Sequence, residues 1–377
     1  MHKKEDLKVD SIDLFITEKC NLNCVYCFHK QSPLTLDLEQ GKKILDRMKQ
    51  INPDHMSITF FGGEPLLYPD LVLQLAEYAK TLWTTLKMHI STNGTYFDEE
   101  MFKKYKALDI SMQISFDGNE ETQNGGRGEF ELVRDNIIKT LKIYPGMTVR
   151  MTYTPETVRF LSHNVKFIHS LGVENIMHHA TMESEWKENE IKEYQFQLAD
   201  LYHYRRFCQR MKTPFSLQFI DKTMRMLNDE APSELDYCAA GKTYIGILPN
   251  GDTYPCHRAA SNRIFKLGNI FNEKRPYIRG MFLTVNKETT GCSKMCEAAK
   301  TCHTCVITHY LVNNDINRPL AKTGYCEICK IEDGMAKSYL PTEVSDKRDR
   351  LLNSLGLVVA DISDKINELE VKINAKE

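Results

Sequence analysis

Three cysteines fall within eight residues, at Cys20, Cys24 and Cys27, with the spacing C-x3-C-x2-C. Three thiolates at such spacing can hold three irons of a 4Fe–4S cube, and with no fourth cysteine nearby one iron is left open to an exogenous ligand. The competing reading is a zinc site that borrows His29, although tetrahedral zinc motifs usually bring two paired ligands together across a loop. A second set of sulfurs reads Cys238-x12-Gly251-x4-Cys256, then Cys292-x3-Cys296-x5-Cys302-x2-Cys305, then Cys326-x2-Cys329. Its C-x2-C pairs also allow zinc ribbons. The twelfth cysteine, Cys208, stands alone. Disulfides are rare where thiols are kept reduced, and a chain of 377 residues with 42% hydrophobic composition can bury a core that needs no crosslinks. The two groups therefore read as two metal regions.

The first group must be positioned by what precedes it. Ser11 to Thr17 places Ile12, Leu14 and Ile16 on one face of a strand that ends just before Cys20. Ile44, Leu45, Met48 and Ile51 then recur at helical spacing after candidate caps at Thr35 and Asp37. Further strands are expected at Met56 to Phe61, Lys87 to Ser91, Ile110 to Phe116, Thr148 to Tyr153 and Val173 to His178. Helices such as Pro69 to Leu82 and Glu129 to Lys142 separate them. Six β/α units predict an α/β fold, a partial (β/α)6 TIM-like barrel whose strand C-terminal ends share one rim and whose open side admits a bulky substrate. A long polar helix from Lys187 to Lys212, a second helical stretch to about Asp229 and the linker Glu230-Ala231-Pro232-Ser233 follow. Pro249-Asn250-Gly251-Asp252 predicts a β-hairpin between Tyr244 to Leu248 and Thr253 to Cys256, with sparse secondary structure beyond it. Ile362, Ile366, Leu369 and Ile373 predict a C-terminal helix that packs on its own chain or on a dimer or partner surface.

The balance of 49 basic and 51 acidic residues argues against nucleic acid or an anionic membrane as a partner. No apolar run reaches the ~20 residues of a spanning helix. The polar Met1-His2-Lys3-Lys4-Glu5-Asp6 start is not a signal peptide, so a cytoplasmic location is expected.

The cysteine triad after the first strand resembles the radical S-adenosylmethionine (SAM) superfamily. That resemblance implies that the open iron chelates the amine and carboxylate of SAM, and that one-electron reduction yields a 5′-deoxyadenosyl radical. Tyr26 and Phe28 would shield the cluster and contact adenine. Gly62-Gly63-Glu64-Pro65 after the second strand resembles the segment that receives the methionine ammonium, through Glu64 or exposed carbonyls; read alone, it is a turn. Ser91-Thr92-Asn93-Gly94 and Ser115-Phe116-Asp117-Gly118 resemble ribose and methionine contacts, which gives Ser91, Asn93, Ser115 and Asp117 as cofactor-binding candidates. Arg127 falls where related enzymes place a guanidinium on the SAM carboxylate.

The later cysteines are similar to the SPASM extension, which carries two auxiliary 4Fe–4S clusters and so implies three clusters in all. The usual central run is C-x2-C-x5-C-x3-C, so the first and last intervals here differ by one residue, and Tyr244 stands where some members supply a further ligand. Carried over position by position, Cys238, Cys256 and Cys305 serve the inner auxiliary cluster, and Cys292, Cys296, Cys302 and Cys326 the outer one. Cys329 either completes the inner cluster or leaves it with an open iron for a substrate thiolate.

Sulfatase maturases of this type carry an aspartate base after the second SPASM cysteine, where this chain has His257. Pro255-Cys256-His257-Arg258 followed by Phe265-Lys266-Leu267-Gly268-Asn269-Ile270 instead resembles maturases of ribosomally made peptides that install thioether or carbon-based crosslinks. The implied partners are a precursor peptide and a flavodoxin- or ferredoxin-type electron donor. Sulfatase-maturase-like or epimerase chemistry is the alternative, and a non-catalytic iron–sulfur or zinc scaffold the alternative of another class. His257 is a candidate proton acceptor or a support for the cluster; Cys208 is a candidate hydrogen-atom donor or a packed core thiol. His178 and His179, at the end of the sixth strand, are candidates for adenine or substrate contacts or for structural roles. The expected organisation is a barrel at residues 8–186, a helical connection at 187–233, a SPASM domain at 234–340 and a helical tail at 341–377. With the first strand starting near Ser11, no leader-binding domain is expected before the barrel.

Overall fold

The computed structural model describes residues 9–213, 215–228, 238–271, 273–274 and 276–339. The expected linker at Glu230 to Ser233 and the tail from residue 341, with its helix, lie outside the described residues.

Six strands form in the expected order: β1 Ser11–Thr17, β2 His55–Gly62, β3 Thr85–Thr92, β4 Ile110–Ser115, β5 Thr148–Tyr153 and β6 Asn175–Ala180. Each pairs in parallel with the next. Helices make the crossovers. Asp37 caps Leu38–Ile51 by accepting the Gln40 N–H at 2.8 Å, and proline opens Pro69–Leu82, where its missing N–H removes no helical bond. The sixth strand begins two residues later than the apolar run Val173 to His178, because Val173 is buried in the turn that leads into it.

Pairing extends the sheet beyond six strands at both edges. The short β7, Ser216–Leu217, adds in parallel to β6. On the opposite edge β8, Tyr244–Ile247, pairs in parallel with β1, matching Ser11 to Tyr244 and Leu14 to Ile247. The hairpin expected around Asn250-Gly251 then forms: β9, Asp252–Tyr254, returns antiparallel to β8, followed by β10, Gly268–Asn269, and β11, Glu273–Lys274. The eleven strands run in one open order from β11 to β7, so the barrel is not closed among the described residues.

β1 carries side chains into two cores. Ile12, Leu14 and Ile16 belong to the main core, while Phe15 packs with Ala240, Tyr254, Cys256, Phe265 and Phe282. A strand flanked on both edges and covered on both faces reads as a nearly continuous apolar run. Structure beyond the hairpin is richer than expected, with helices at Pro276–Thr284, Val306–Asn313 and Tyr325–Tyr339. The last buries Ile328, Cys329 and Ala336 in the main core, and Tyr194 donates to Glu332 at 2.6 Å. Side-chain burial, rather than metal alone, therefore orders this region.

Candidate functional site

The backbone leaving β1 enters the cysteine loop, and β2 ends against it. Gly63 N–H donates to the Thr17 carbonyl at 2.8 Å and Glu64 N–H to the Lys19 carbonyl at 2.9 Å. A Cβ on Gly62 would lie 2.1 Å from the Thr17 oxygen, and one on Gly63 2.2 Å from the Lys19 oxygen. Only glycine permits this approach, and Gly62 also holds a φ of +147°. The Gly-Gly-Glu segment is thus a fixed wall for the cysteine loop rather than a free turn.

Glu64 is buried and engaged by three donors: Leu66 N–H at 2.9 Å, Thr92 Oγ1 at 2.7 Å and Asn93 N–H at 2.6 Å. Burial raises its carboxyl to about 7 against the opposing pull of those hydrogen bonds. These protein partners tie the β2 and β3 loops together, and Glu64 also lines the cavity. Asn93 in turn reaches the first sulfur, with Nδ2 at 3.8 Å from Cys20 Sγ and 2.8 Å from Asn21 Oδ1.

A parallel arrangement holds the next loop. Arg127 Nε donates to Asp117 Oδ1 at 3.0 Å, Thr152 N–H donates to the same oxygen at 2.8 Å, and Tyr26 donates to Oδ2. Arg127 also lies over the Tyr26 ring, 5.2 Å from its centroid. Burial opposes the charge on Arg127, but Asp117 outweighs it and holds the guanidinium protonated; burial pushes the Tyr26 phenol well up. Tyr26 and Asp117, expected at cofactor, thus satisfy each other and orient Arg127.

Cys20, Cys24 and Cys27 face one cavity of about 180 Å³, lined also by Tyr26, Phe28, Gly62, Gly63, Glu64, Ser91, Asn93, Ser115 and Arg127. Asp117 stands behind that wall. All three thiols are free, and burial raises those of Cys20 and Cys24. Three unpaired sulfurs converging on a cavity, approached by amide donors from Leu22 and Asn93, fit an iron–sulfur cluster in donor chemistry.

The second constellation meets the same cavity. His257 and Arg258 line it, with His257 Nδ1 at 2.6 Å from Asp13 Oδ2 and 2.7 Å from the Tyr244 hydroxyl, while Tyr244 also donates to Asp13. Phe28 and Phe61 pack on the imidazole at 5.6 and 4.8 Å between centroids. Tyr244, where a further metal ligand stands in some relatives, is therefore committed to Asp13 and His257. The remaining sulfurs sort by proximity. Cys256 neighbours Cys305 and Cys238; Cys326 neighbours Cys302, Cys292 and Cys296; and Cys329 lies against Cys302 and Cys326.

Two candidates lie elsewhere. Cys208 is buried in the helix Glu188–Met211 beside Tyr204 and does not line the cavity. β6 continues to Ala180, and its pleat sends neighbouring histidines to opposite faces. His179 lines the cavity, whereas His178 is buried among Leu198, Tyr202 and Phe219, where burial lowers it to about 4. Sequence reasoning missed Asp13, Phe61, Arg150, Thr152, Glu183 and Arg258. Asp13 and Arg150 each carried a signal, a charged residue inside an otherwise apolar strand.

An open parallel α/β sheet whose strand ends gather three free cysteines, with a cysteine-rich extension closing on the same cavity, defines the class. Residues 14–168 match the radical SAM superfamily and residues 238–305 the SPASM iron–sulfur cluster-binding domain, so the chain carries a radical SAM domain and a SPASM domain. These domains imply iron–sulfur clusters and SAM as cofactors. The mycofactocin maturase MftC of Mycobacterium tuberculosis is 26% identical over 271 residues, 68% of this chain and 66% of that protein. Native anSMEcpe with bound AdoMet has the same fold, with TM-score 0.70 at 18% identity, covering 87% of this chain and 97% of that one. Streptococcus suis SuiB bound to its precursor peptide SuiA gives TM-score 0.60 at 15% identity, covering 84% and 76%. The chain spans from 28% to 66% of the length of curated relatives it matches. No helix among the described residues is long and apolar enough to cross a membrane.

Proposed function

We propose that the chain is a peptide maturase that uses a SAM-derived radical to join parts of a ribosomally made peptide through a thioether or carbon-based crosslink. The observation that carries this reading is the convergence of Cys20, Cys24 and Cys27 with Gly62, Ser91, Asn93, Ser115 and Arg127 on one cavity that the C-terminal cysteine region also walls. When bound, the triad cluster and SAM supply one-electron cleavage to a carbon radical that abstracts substrate hydrogen. The residues of this chain hold and orient. Gly62 and Gly63 let the strand end approach the cluster loop, Asn93 and Leu22 N–H face the Cys20 sulfur, and Arg127 offers a fixed cation for the SAM carboxylate.

The balanced reaction removes two hydrogens from the peptide. One would leave with 5′-deoxyadenosine, and the other as a proton and an electron, the electron acceptor being an auxiliary cluster that Cys238, Cys256 and Cys305 would hold. A flavodoxin- or ferredoxin-type protein supplies the reducing electron. His257, held by Asp13, is the proposed acceptor of that proton. Three clusters in all are proposed, with Cys238, Cys256 and Cys305 on the inner auxiliary cluster and Cys292, Cys296, Cys302 and Cys326 on the outer one. The position of Cys329 beside Cys302 and Cys326 supports an inner cluster held by three thiolates, with an iron open to a substrate thiolate. The barrel at 8–186, connection at 187–233 and SPASM domain at 234–340 are the proposed organisation.

The test is anaerobic reconstitution with iron, sulfide and SAM. Dithionite is expected to give 5′-deoxyadenosine, and Cys24→Ala to abolish it. Undiminished production by Cys24→Ala overturns the assignment.

A further inference from the structure

Arg150 is part of the cavity wall. On β5 the pleat buries Val149 and Met151 in the core and turns Arg150 and Thr152 to the cavity, with Arg150 in register with Ser115 of β4. The other cavity guanidiniums have carboxylates: Arg127 has Asp117 and Arg258 has Glu183. Of the other carboxylates nearby, Asp13 is engaged by His257 and Tyr244, and Glu64 by Leu66, Thr92 and Asn93. No hydrogen bond or ion pair among the described residues engages the Arg150 guanidinium. Burial, followed by repulsion from Arg127 and Arg258, lowers it to about 10. A desolvated cation flanked by two cations is stabilised by an anion, and a planar fork that binds two oxygens at once selects a carboxylate.

We propose that Arg150 receives a free carboxylate of the substrate, so that the modified peptide enters the cavity with its C-terminus or an acidic side chain beside the reacting carbon. This rests on the proposed function. The alternative source of the same chemistry is the carboxylate of SAM. Position favours the substrate: Arg127 is the guanidinium beside Tyr26 and Cys24, whereas the groups that act most strongly on Arg150 are Arg127, Arg258, Tyr244 and Asp13, and His179 also lies within its reach. Arg150 thus stands between the SAM corner and the C-terminal cysteine region, where a peptide must lie to reach both.

The test uses the full reconstituted protein, with arginines labelled by phenylglyoxal and mapped by peptide mass spectrometry. Arg150 is expected to react faster than the paired Arg127 and Arg258, and saturating SAM to leave its rate within about twofold. With SAM present, N-acetylglycine at ~100 mM is expected to slow Arg150 labelling by about tenfold relative to N-acetylglycinamide, the isostere without the charge. Suppression by SAM alone assigns the site to the cofactor and overturns the proposal. Equal rates with acid and amide overturn it as well. Neither outcome touches 5′-deoxyadenosine formation, whose absence would sink the proposed function instead.

Discussion

Replacing Arg127 with methionine keeps much of the side-chain volume and strands the carboxylate of Asp117, which is only 1% exposed. Removing one partner of a buried ion pair generally costs about 3–5 kcal/mol, because an uncompensated charge is left in a medium that solvates it poorly. Asp117 keeps two donors, Tyr26 O–H and Thr152 N–H, which places the expected loss near the lower end, about 3 kcal/mol. Adding Asp117→Asn removes the stranded charge while leaving an acceptor for Thr152. The double variant is therefore expected to be more stable than Arg127→Met alone by more than about 1 kcal/mol. Urea unfolding of the anaerobically reconstituted proteins, followed by the fluorescence of the buried Trp83 and Trp186, reads these differences. A single-variant cost below about 1 kcal/mol would refute the view that Asp117 depends on Arg127.

Two further outcomes follow, one from the same cavity and one from the C-terminal cysteines. Glu64 titrates higher when folded than unfolded, so its contribution is present below about pH 4.5 and is lost as pH rises through about 7. Urea midpoints from pH 5 to 8 should show a fall of up to about 3 kcal/mol in the natural protein that is missing in Glu64→Gln; parallel curves would exclude it. For the sulfurs, Cys326→Ser should lose about four irons, whereas Cys329→Ser should lose none, as read by iron and sulfide analysis. Equal losses from both would place Cys329 among the cluster ligands.

The barrel strands were legible because parallel strands and their crossover helices write two distinct periods into the chain, and because Pro69–Leu82 opens on a proline and Thr148–Tyr153 runs into a turn at Pro155. The convergence of the cysteine triad with Gly62, Ser91, Asn93 and Ser115 on one cavity was legible for the same reason: each follows a strand, and parallel strands share a rim. What escaped was every feature set by pairing between distant segments. Nothing local in Tyr244–Ile247 says that it adds to β1 rather than merely to its own hairpin. The phase of β6 was also hidden, since two adjacent histidines give no clue as to which faces the cavity. Glu64 and Asp117 were read as ligand contacts, and the protein donors that also hold them were not legible. A carboxylate in a glycine-rich loop has the same sequence signature whether it meets a substrate or its own backbone.

The pairing of β8 with β1 decides how the two sets of sulfurs are held relative to each other. Asp13 lies in register with Gly246, and a Cβ at that glycine would sit 3.1 Å from the backbone carbon of Cys256, so the second cysteine region is pressed against the strand that launches the first. Asp13 then crosses to His257, and Phe61 and Phe28 close over the imidazole. Leu14 and Phe15, adjacent on β1, anchor the main core and the cysteine-region core from opposite faces. The distance between the two sites of chemistry is therefore fixed by backbone pairing and by packing through a single strand. Under the proposed function, a substrate reaching both would fit a cavity whose span is set before it binds, which is the condition for orienting a reactive carbon without first assembling the site.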